Sequence, residues 1–191
     1  MRIGINSRFL IANKMEGIGW YSFEIIKRLV QNHPEHDFVL FFDRPFSKEF
    51  KFGPNAKNVI LRPPARHPIL FKIWFNFSIK RALKKHSIDL FFSPDGYLCL
   101  NTDVSQVAVI HDLNFEHHPE DLPAHFLKYY LKYFPKFARK ASHIITVSEY
   151  SKNDIIDTYG IDSSKVTAIW NSASDNFIPI SDEKKLIARE K

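Results

Sequence analysis

The chain has 191 residues, 45% hydrophobic and 25% charged, with a net charge of +6. A soluble globular chain of this size buries a substantial core without disulfides or metals, and it makes one large domain or one and a fraction. The single Cys99 excludes an internal disulfide, no apolar run reaches the roughly 20 residues that span a bilayer, and the opening "MRIGINSRFL" reads as a strand, not a secretion signal, so a cytoplasmic location is expected.

"RIGINS" opens as an apolar strand. In "NKMEGIGWYSFEIIKRLVQNHP", Gly17 and Gly19 mark a loop. Tyr21, Ile25 and Leu29, flanked by Ile18, Ile26 and Val30, then recur at helical spacing until Pro34. "DFVLFF" is a continuous apolar run and hence a buried strand, as is "NVILRPP", stopped by Pro63 and Pro64. "HPILFKIWFNFSIKRALKKHS" reads as a helix, with Pro68 in its first turn and basic residues in its last, where they favour the helix dipole. "IDLFFSP" and "QVAVIHD" are strands. "PAHFLKYYLKYFPKFARKAS" is a helix with Phe126, Tyr130, Phe134 and Phe137 on one side and Lys128, Lys132 and Lys136 on another, kinked at Pro135. "SHIITVS" is a strand, "SEYSKNDIIDTYG" a helix capped by Ser148 and stopped at Gly160, and "SKVTAIW" the last strand.

Strands that alternate with helices and are apolar throughout imply a parallel sheet covered on both faces. The expected fold is therefore α/β, a Rossmann-like doubly wound, mostly parallel sheet with helices on both faces. Ligands of such folds sit outside the carboxyl ends of the strands, so residues 6–19, 93–97, 111–116, 148–149 and 171–172 are the segments to search. Charge is distributed unevenly. Residues 50–88 and 122–148 contain no acid while basic residues accumulate in both. One basic face meeting an anionic partner is the implied arrangement.

Several constellations carry chemistry. "EGIGWYSFE" leads a Gly-rich turn into a helix N-terminus, where bare N–H groups and the positive dipole end favour an anion, but the spacing matches neither the dinucleotide fingerprint nor a P-loop. His111 and Asp112 end an apolar strand: His111 is placed to bond a substrate hydroxyl, or it is a half-buried spacer, and Asp112 orients the ring or fixes the loop. Glu116, His117, His118 and Glu120 are competent metal ligands, yet adjacent histidines diverge and no second ligand cluster exists, so a solvated loop is the better reading. Asp95 and Tyr97 follow a strand beside Gly96, where a plain turn competes with acceptor contacts. The segment 69–85, with Phe71, Trp74, Phe75 and Phe77 among basic residues, is either a core-covering helix or a membrane-interface helix. No nucleic-acid motif and no nucleophile elbow are present.

Taken in order, "EGIGWYSFEIIKRL", "DLFFSPDGYL", "VAVIHDLNFEHHPE" and "ASHIITVSEYSKNDIIDTYGIDSSKVTAIWNSAS" make the chain resemble the N-terminal domain of a glycosyltransferase family 4 (group 1) enzyme of the GT-B fold. The resemblance covers nearly the whole chain. It implies retaining transfer of a sugar from a nucleotide-diphosphate sugar to a glycan or lipid-linked acceptor in polysaccharide biosynthesis, with no metal and no other cofactor. Gly17, Ile18 and Gly19 would lie near the donor diphosphate, and His111 near the transferred sugar as the catalytic residue. Asp95, Tyr97, Asp112, Asn114, Ser148, Glu149 and Asn171 would line the cleft. Trp20, where many relatives carry Arg or Thr, and "NSA" in place of "NGV" at residues 171–173 depart from the family pattern.

Residues 1–172 would be the acceptor-side domain, and 173–191 a linker entering a C-terminal donor domain that this chain lacks. The expected partners are that donor domain, the two substrates and an anionic membrane surface, with no nucleic acid, and the chain alone would be inactive. The alternative is a non-catalytic binding or partner domain.

Overall fold

A computed structural model of the chain describes residues 1–173, 179–182, 185 and 189. The linker and helix start expected over residues 173–191 fall largely outside them. Seven strands form one sheet: β1 (Arg2–Asn6), β2 (Asp37–Phe42), β3 (Ala56–Ile60), β4 (Leu90–Ser93), β5 (Ser105–Val109), β6 (His143–Thr146) and β7 (Val166–Ala168). Their order is β3-β2-β1-β4-β5-β6-β7 and every pair is parallel, a stricter outcome than the mostly parallel sheet expected.

The apolar strand runs have a simple cause. Alternate side chains of β2 go to opposite faces: Phe38, Leu40 and Phe42 join one buried cluster, Val39 and Phe41 the other. Because both faces are covered, no strand position needs to be polar. Helix α1 (Gly17–Asn32) packs on the first face through Ile26 and Val30. On the second face lie α2 (Pro68–Ile73), a π-helical turn (Trp74–Ile79), α3 (Lys80–Lys85), α5 (Ala124–Lys140) and α6 (Glu149–Tyr159). A short α4 (Asn114–His117) lies between β5 and α5.

Three local readings change. Gly17, Ile18 and Gly19 are not a loop but the first turn of α1, with Glu16 as its N-cap residue. The buried stripe of α1 is Gly19, Ser22, Ile26 and Val30, so Tyr21, Ile25 and Leu29 lie at its margin. The expected helix over 68–85 runs unbroken, yet its middle winds as a π-turn. That turn brings Ile79 into the core and leaves the Ser78 hydroxyl to donate to the Arg62 carbonyl. The caps of α6 agree with expectation: the Ser148 hydroxyl accepts the Ser151 N–H at 3.0 Å, and Gly160 takes the left-handed conformation at φ 63°.

Candidate functional site

In a parallel sheet all strand carboxyl ends share one edge. The chain leaves β1 for one side of the sheet and later places β4 on the other, so the β1/β4 boundary is the topological switch point, the place where open α/β sheets take their ligands. The polar residues that end β1, β4, β5 and β6 collect there. Asn6 donates to Ser93 Oγ at 3.0 Å and to Asp95 Oδ1 at 2.6 Å. Arg8 Nη2 donates to Asp95 Oδ2 at 3.1 Å, and the Tyr97 N–H donates to Asp95 Oδ1 at 3.3 Å.

This network corrects two site assignments. Tyr97 is 2% exposed, in the middle of an aromatic cluster with Phe71, Phe75, Tyr129 and Phe134, and burial holds its hydroxyl well above the usual tyrosine pKa. It is core, not cleft lining. Asp95, 5% exposed, spends its oxygens on protein donors. The Arg8 guanidinium lies over the rings of Tyr97 at 4.5 Å and Phe71 at 4.6 Å. Burial opposes its charge, but the Asp95 carboxylate more than offsets this and holds its pKa above the ordinary arginine value.

His111 stands half-buried just after β5, beside this network. Its Nε2 is 2.9 Å from the Pro94 carbonyl oxygen, which can only accept, so Nε2 carries the proton. In the neutral ring Nδ1 is then the acceptor. The ring meets Tyr21 of α1 edge-on at a centroid distance of 4.8 Å, which puts His111 next to the helix whose first turn holds Gly17, Ile18 and Gly19. A Cβ on Gly17 would meet nothing within 4 Å, whereas one on Gly19 would stand 3.0 Å from the Phe9 carbonyl oxygen. The outer glycine faces open space and the inner one is required by packing.

The two glycines therefore separate in a mutational test. Gly19→Ala is expected to cost about 1 kcal/mol or more of stability through overpacking, and Gly17→Ala to cost none. Urea denaturation of the two variants reads the difference, and equal stabilities would remove the packing argument.

The remaining assignments are distributed along the same edge. Asp112 Oδ1 accepts the Asn114 N–H at 3.0 Å, so it fixes the loop after β5, and Asn114 Nδ2 donates to Asp121 at 3.0 Å. Ser148 is spent on capping α6. Glu149 and Asn171 are exposed at the ends of β6 and β7. The four candidate metal ligands disperse: Glu116 accepts the Tyr159 hydroxyl at 2.8 Å, His117 pairs with Asp154 at 2.8 Å, and His118 turns to Glu120. Asn6 and Arg8 lie in the segment 6–19 to be searched but are not singled out there, and Tyr21 is read only as part of the apolar helical spacing. The signal for the first two was present, since "NSR" ends an apolar strand as abruptly as "HD" does after β5.

Comparison with known proteins follows this geometry. The family model described as Glycosyltransferase Family 4 matches residues 15–176. O-antigen chain mannosyltransferase B of Escherichia coli is 26% identical over 177 residues, covering 87% of this chain and 46% of that protein. HepE of Anabaena, solved in complex with UDP and glucose, superposes with a TM-score of 0.60 at 15% identity over 100% of this chain and 50% of its own. The apo lipopolysaccharide outer core galactosyltransferase WaaB gives 0.60 at 14% identity, over 91% of this chain and 46% of its own. The chain spans about half the length of these proteins.

Proposed function

The chain belongs to glycosyltransferase family 4 and has the fold of the N-terminal half of a GT-B enzyme, and on that footing we propose that it is the acceptor-side domain of a retaining glycosyltransferase. The enzyme would move a sugar from a nucleotide diphosphate to a glycan or lipid-linked acceptor at the cytoplasmic face of the membrane. The observation that carries the reading is the juxtaposition of the open first turn of α1 with His111 at the switch point.

The chemistry fits that pairing. Breaking a glycosyl–phosphate bond leaves negative charge on the diphosphate and positive charge on the sugar. The free N–H groups of Gly17, Ile18 and Gly19, at the positive end of a 16-residue helix, stabilise the diphosphate where no Cβ obstructs its approach at Gly17. In this reading backbone donors hold the leaving group and no metal is needed. The Nδ1 lone pair of His111 accepts from a hydroxyl of the transferred sugar and so fixes its orientation beside the departing phosphate. Glu149, Asn171 and the Asn114 loop then flank the acceptor side.

Exposed apolar residues mark the same edge: Trp20 in the first turn of α1, Tyr150 in the first turn of α6, and Ile169 and Trp170 after β7. A facing donor-binding domain would cover them. In this reading the chain does not transfer sugar alone, because the donor's nucleotide is held from the other side.

The test uses purified protein with and without the donor domain, supplied first with nucleotide-diphosphate mannose donors, since one relative is a mannosyltransferase. Turnover is expected only when both halves are present, and it should survive chelation by EDTA. Transfer by the 191-residue chain alone would overturn the half-site reading, and loss of turnover on chelation would overturn the metal-free one.

A further inference from the structure

The sheet has two edge strands, and the one away from β7 is β3. Its pairing with β2 fixes which of its backbone groups are spent. The Phe38 N–H donates to the Asn55 carbonyl at 2.8 Å, and the Leu61 N–H donates to the Phe42 carbonyl at 2.7 Å. In a parallel ladder alternate residues bond to the neighbour, so Lys57 and Val59 also face β2. Asn58 and Ile60 therefore turn both N–H and C=O outward. Among the described residues no hydrogen bond uses those four groups. The side chains follow the same alternation: Val59 and Leu61 pack on the second-face cluster, and Ile60 is left 42% exposed.

This edge overlooks a basic groove. The continuous run of α2, π-turn and α3 is tied to the segment after β3. There the Trp74 indole N–H donates to the Leu61 carbonyl at 3.4 Å, and the Ser78 hydroxyl donates to the Arg62 carbonyl. Between them lies a pocket of about 240 Å³, walled by residues 59–62 on one side and by Ser78, Arg81, Ala82, Lys85 and His86 on the other. No acid lines it. Arg62, Arg81, Lys85 and Lys57 pair with no carboxylate among the described residues, unlike Arg2, Arg8, Arg28 and Arg44. Their field reaches His86, whose pKa is held below the usual histidine value first by burial and then by Lys57, Lys85 and Arg2.

We propose that the open edge of β3 takes one further strand, an extended segment of a partner protein in which acidic and apolar residues alternate. Its backbone bonds to Asn58 and Ile60. Its acids turn to Arg81, Lys85 and Lys57, and its apolar side chains lie beside Ile60. Charge and backbone select this occupant together. A short edge strand carrying lysine resists neutral and basic strands, and the same charge admits an acidic one. A small anion would meet the cations but has no donor for the Asn58 and Ile60 carbonyls. A second copy of the chain, paired edge to edge across a two-fold axis, would set its Lys57 and Arg62 against the same residues of the first. Strands β2 and β1 separate the groove from the switch point, so a strand added here leaves that site free.

The inference is independent of the transfer reading, because peptide binding reads it and turnover does not. The experiment is fluorescence anisotropy of a labelled hexapeptide of alternating glutamate and valine, titrated with the 191-residue chain. Saturable binding is expected, weakening as added salt screens the charges. The peptide with lysine in place of glutamate should not bind. A peptide of the same charge, N-methylated at every backbone amide, should bind at least about tenfold more weakly, because it cannot donate to the edge. Arg81→Glu with Lys85→Glu should weaken binding by about tenfold or more. Lys27→Glu, on α1 of the opposite face, should leave it unchanged. All three positions are exposed, so circular dichroism melts should coincide with that of the parent. No binding, equal binding of the N-methylated peptide, or binding that survives the double reversal would each overturn the proposal. So would displacement of the peptide by inorganic phosphate at constant ionic strength, or tighter binding of single-stranded RNA through the same cations.

Discussion

Replacing Asp95 by Ala is expected to destabilise the domain by about 3–5 kcal/mol, enough to unfold a large fraction of an ordinary domain's margin. The reason lies in what the carboxylate holds. It is the counter-charge to Arg8, whose side chain is 5% exposed and whose Nε has no partner among the described residues. It also accepts from Asn6, Ser93 and the Tyr97 N–H. Removing it strands a buried cation and three donors at once. The sharper comparison is the double variant Arg8→Met with Asp95→Leu, which removes both charges and keeps the volume. It should be more stable than Asp95→Ala, since an apolar pair in place of a buried ion pair is often neutral. Urea denaturation followed by tryptophan fluorescence gives both numbers. A single-variant loss below about 1 kcal/mol would mean that water or movement relieves the cation, and residues 93–97 would not be held rigidly.

That rigidity matters for function because the Asp95 network and His111 are joined through one segment of chain. Asp95 anchors residues 93–97, and the carbonyl of Pro94 within them accepts the hydrogen bond of the His111 Nε2–H. Sequence reading placed His111 and Asp95 both at strand ends, and both positions are right. It could not assign their depth. Strand-end location is a one-dimensional property, whereas burial at the end depends on what the opposite loop contributes. Here Arg8 arrives from β1, a sequence separation of 87 residues, and claims Asp95 for the core. Tyr97 shows the same limit: its residue type suits a cleft, but aromatic residues of α2, the π-turn and α5 close over it.

The sheet itself was legible, because apolar runs without alternation have one cheap explanation, burial on both faces. The first turn of α1 was misread as a loop because glycine is a poor helix former in general. A first turn has no intrahelical bonds to lose from its N–H groups, and close packing of Gly19 on the Phe9 carbonyl requires the small residue there. That the two basic stretches form one face was expected from their charge, but not which elements carry it. That α2, α3 and α5 cover the same face of the sheet follows only from the crossovers that take the chain from β3 to β4 and from β5 to β6.

His111→Ala, in a protein carrying both domains, is expected to lower kcat by about 100- to 1,000-fold while leaving the melting temperature nearly unchanged. The small stability effect follows from position: His111 is half-buried, and its ring contributes one hydrogen bond and one edge contact to the fold. The large rate effect follows from timing. If the ring fixes the sugar beside the diphosphate, its interaction strengthens as charge develops, so the loss falls on kcat more than on KM. His117→Ala is the control, because His117 is exposed and bound to Asp154 of α6, and its loss should leave turnover as it is. Asp95→Asn completes the argument. It keeps the size of the side chain but weakens the hold on residues 93–97, so it should reduce kcat through His111. The double variant with His111→Ala should then be no slower than His111→Ala alone. Losses that multiply instead would show that Asp95 acts on turnover by some route other than the Pro94 carbonyl. A His111→Ala enzyme within about threefold of the parent would remove His111 from the reacting centre.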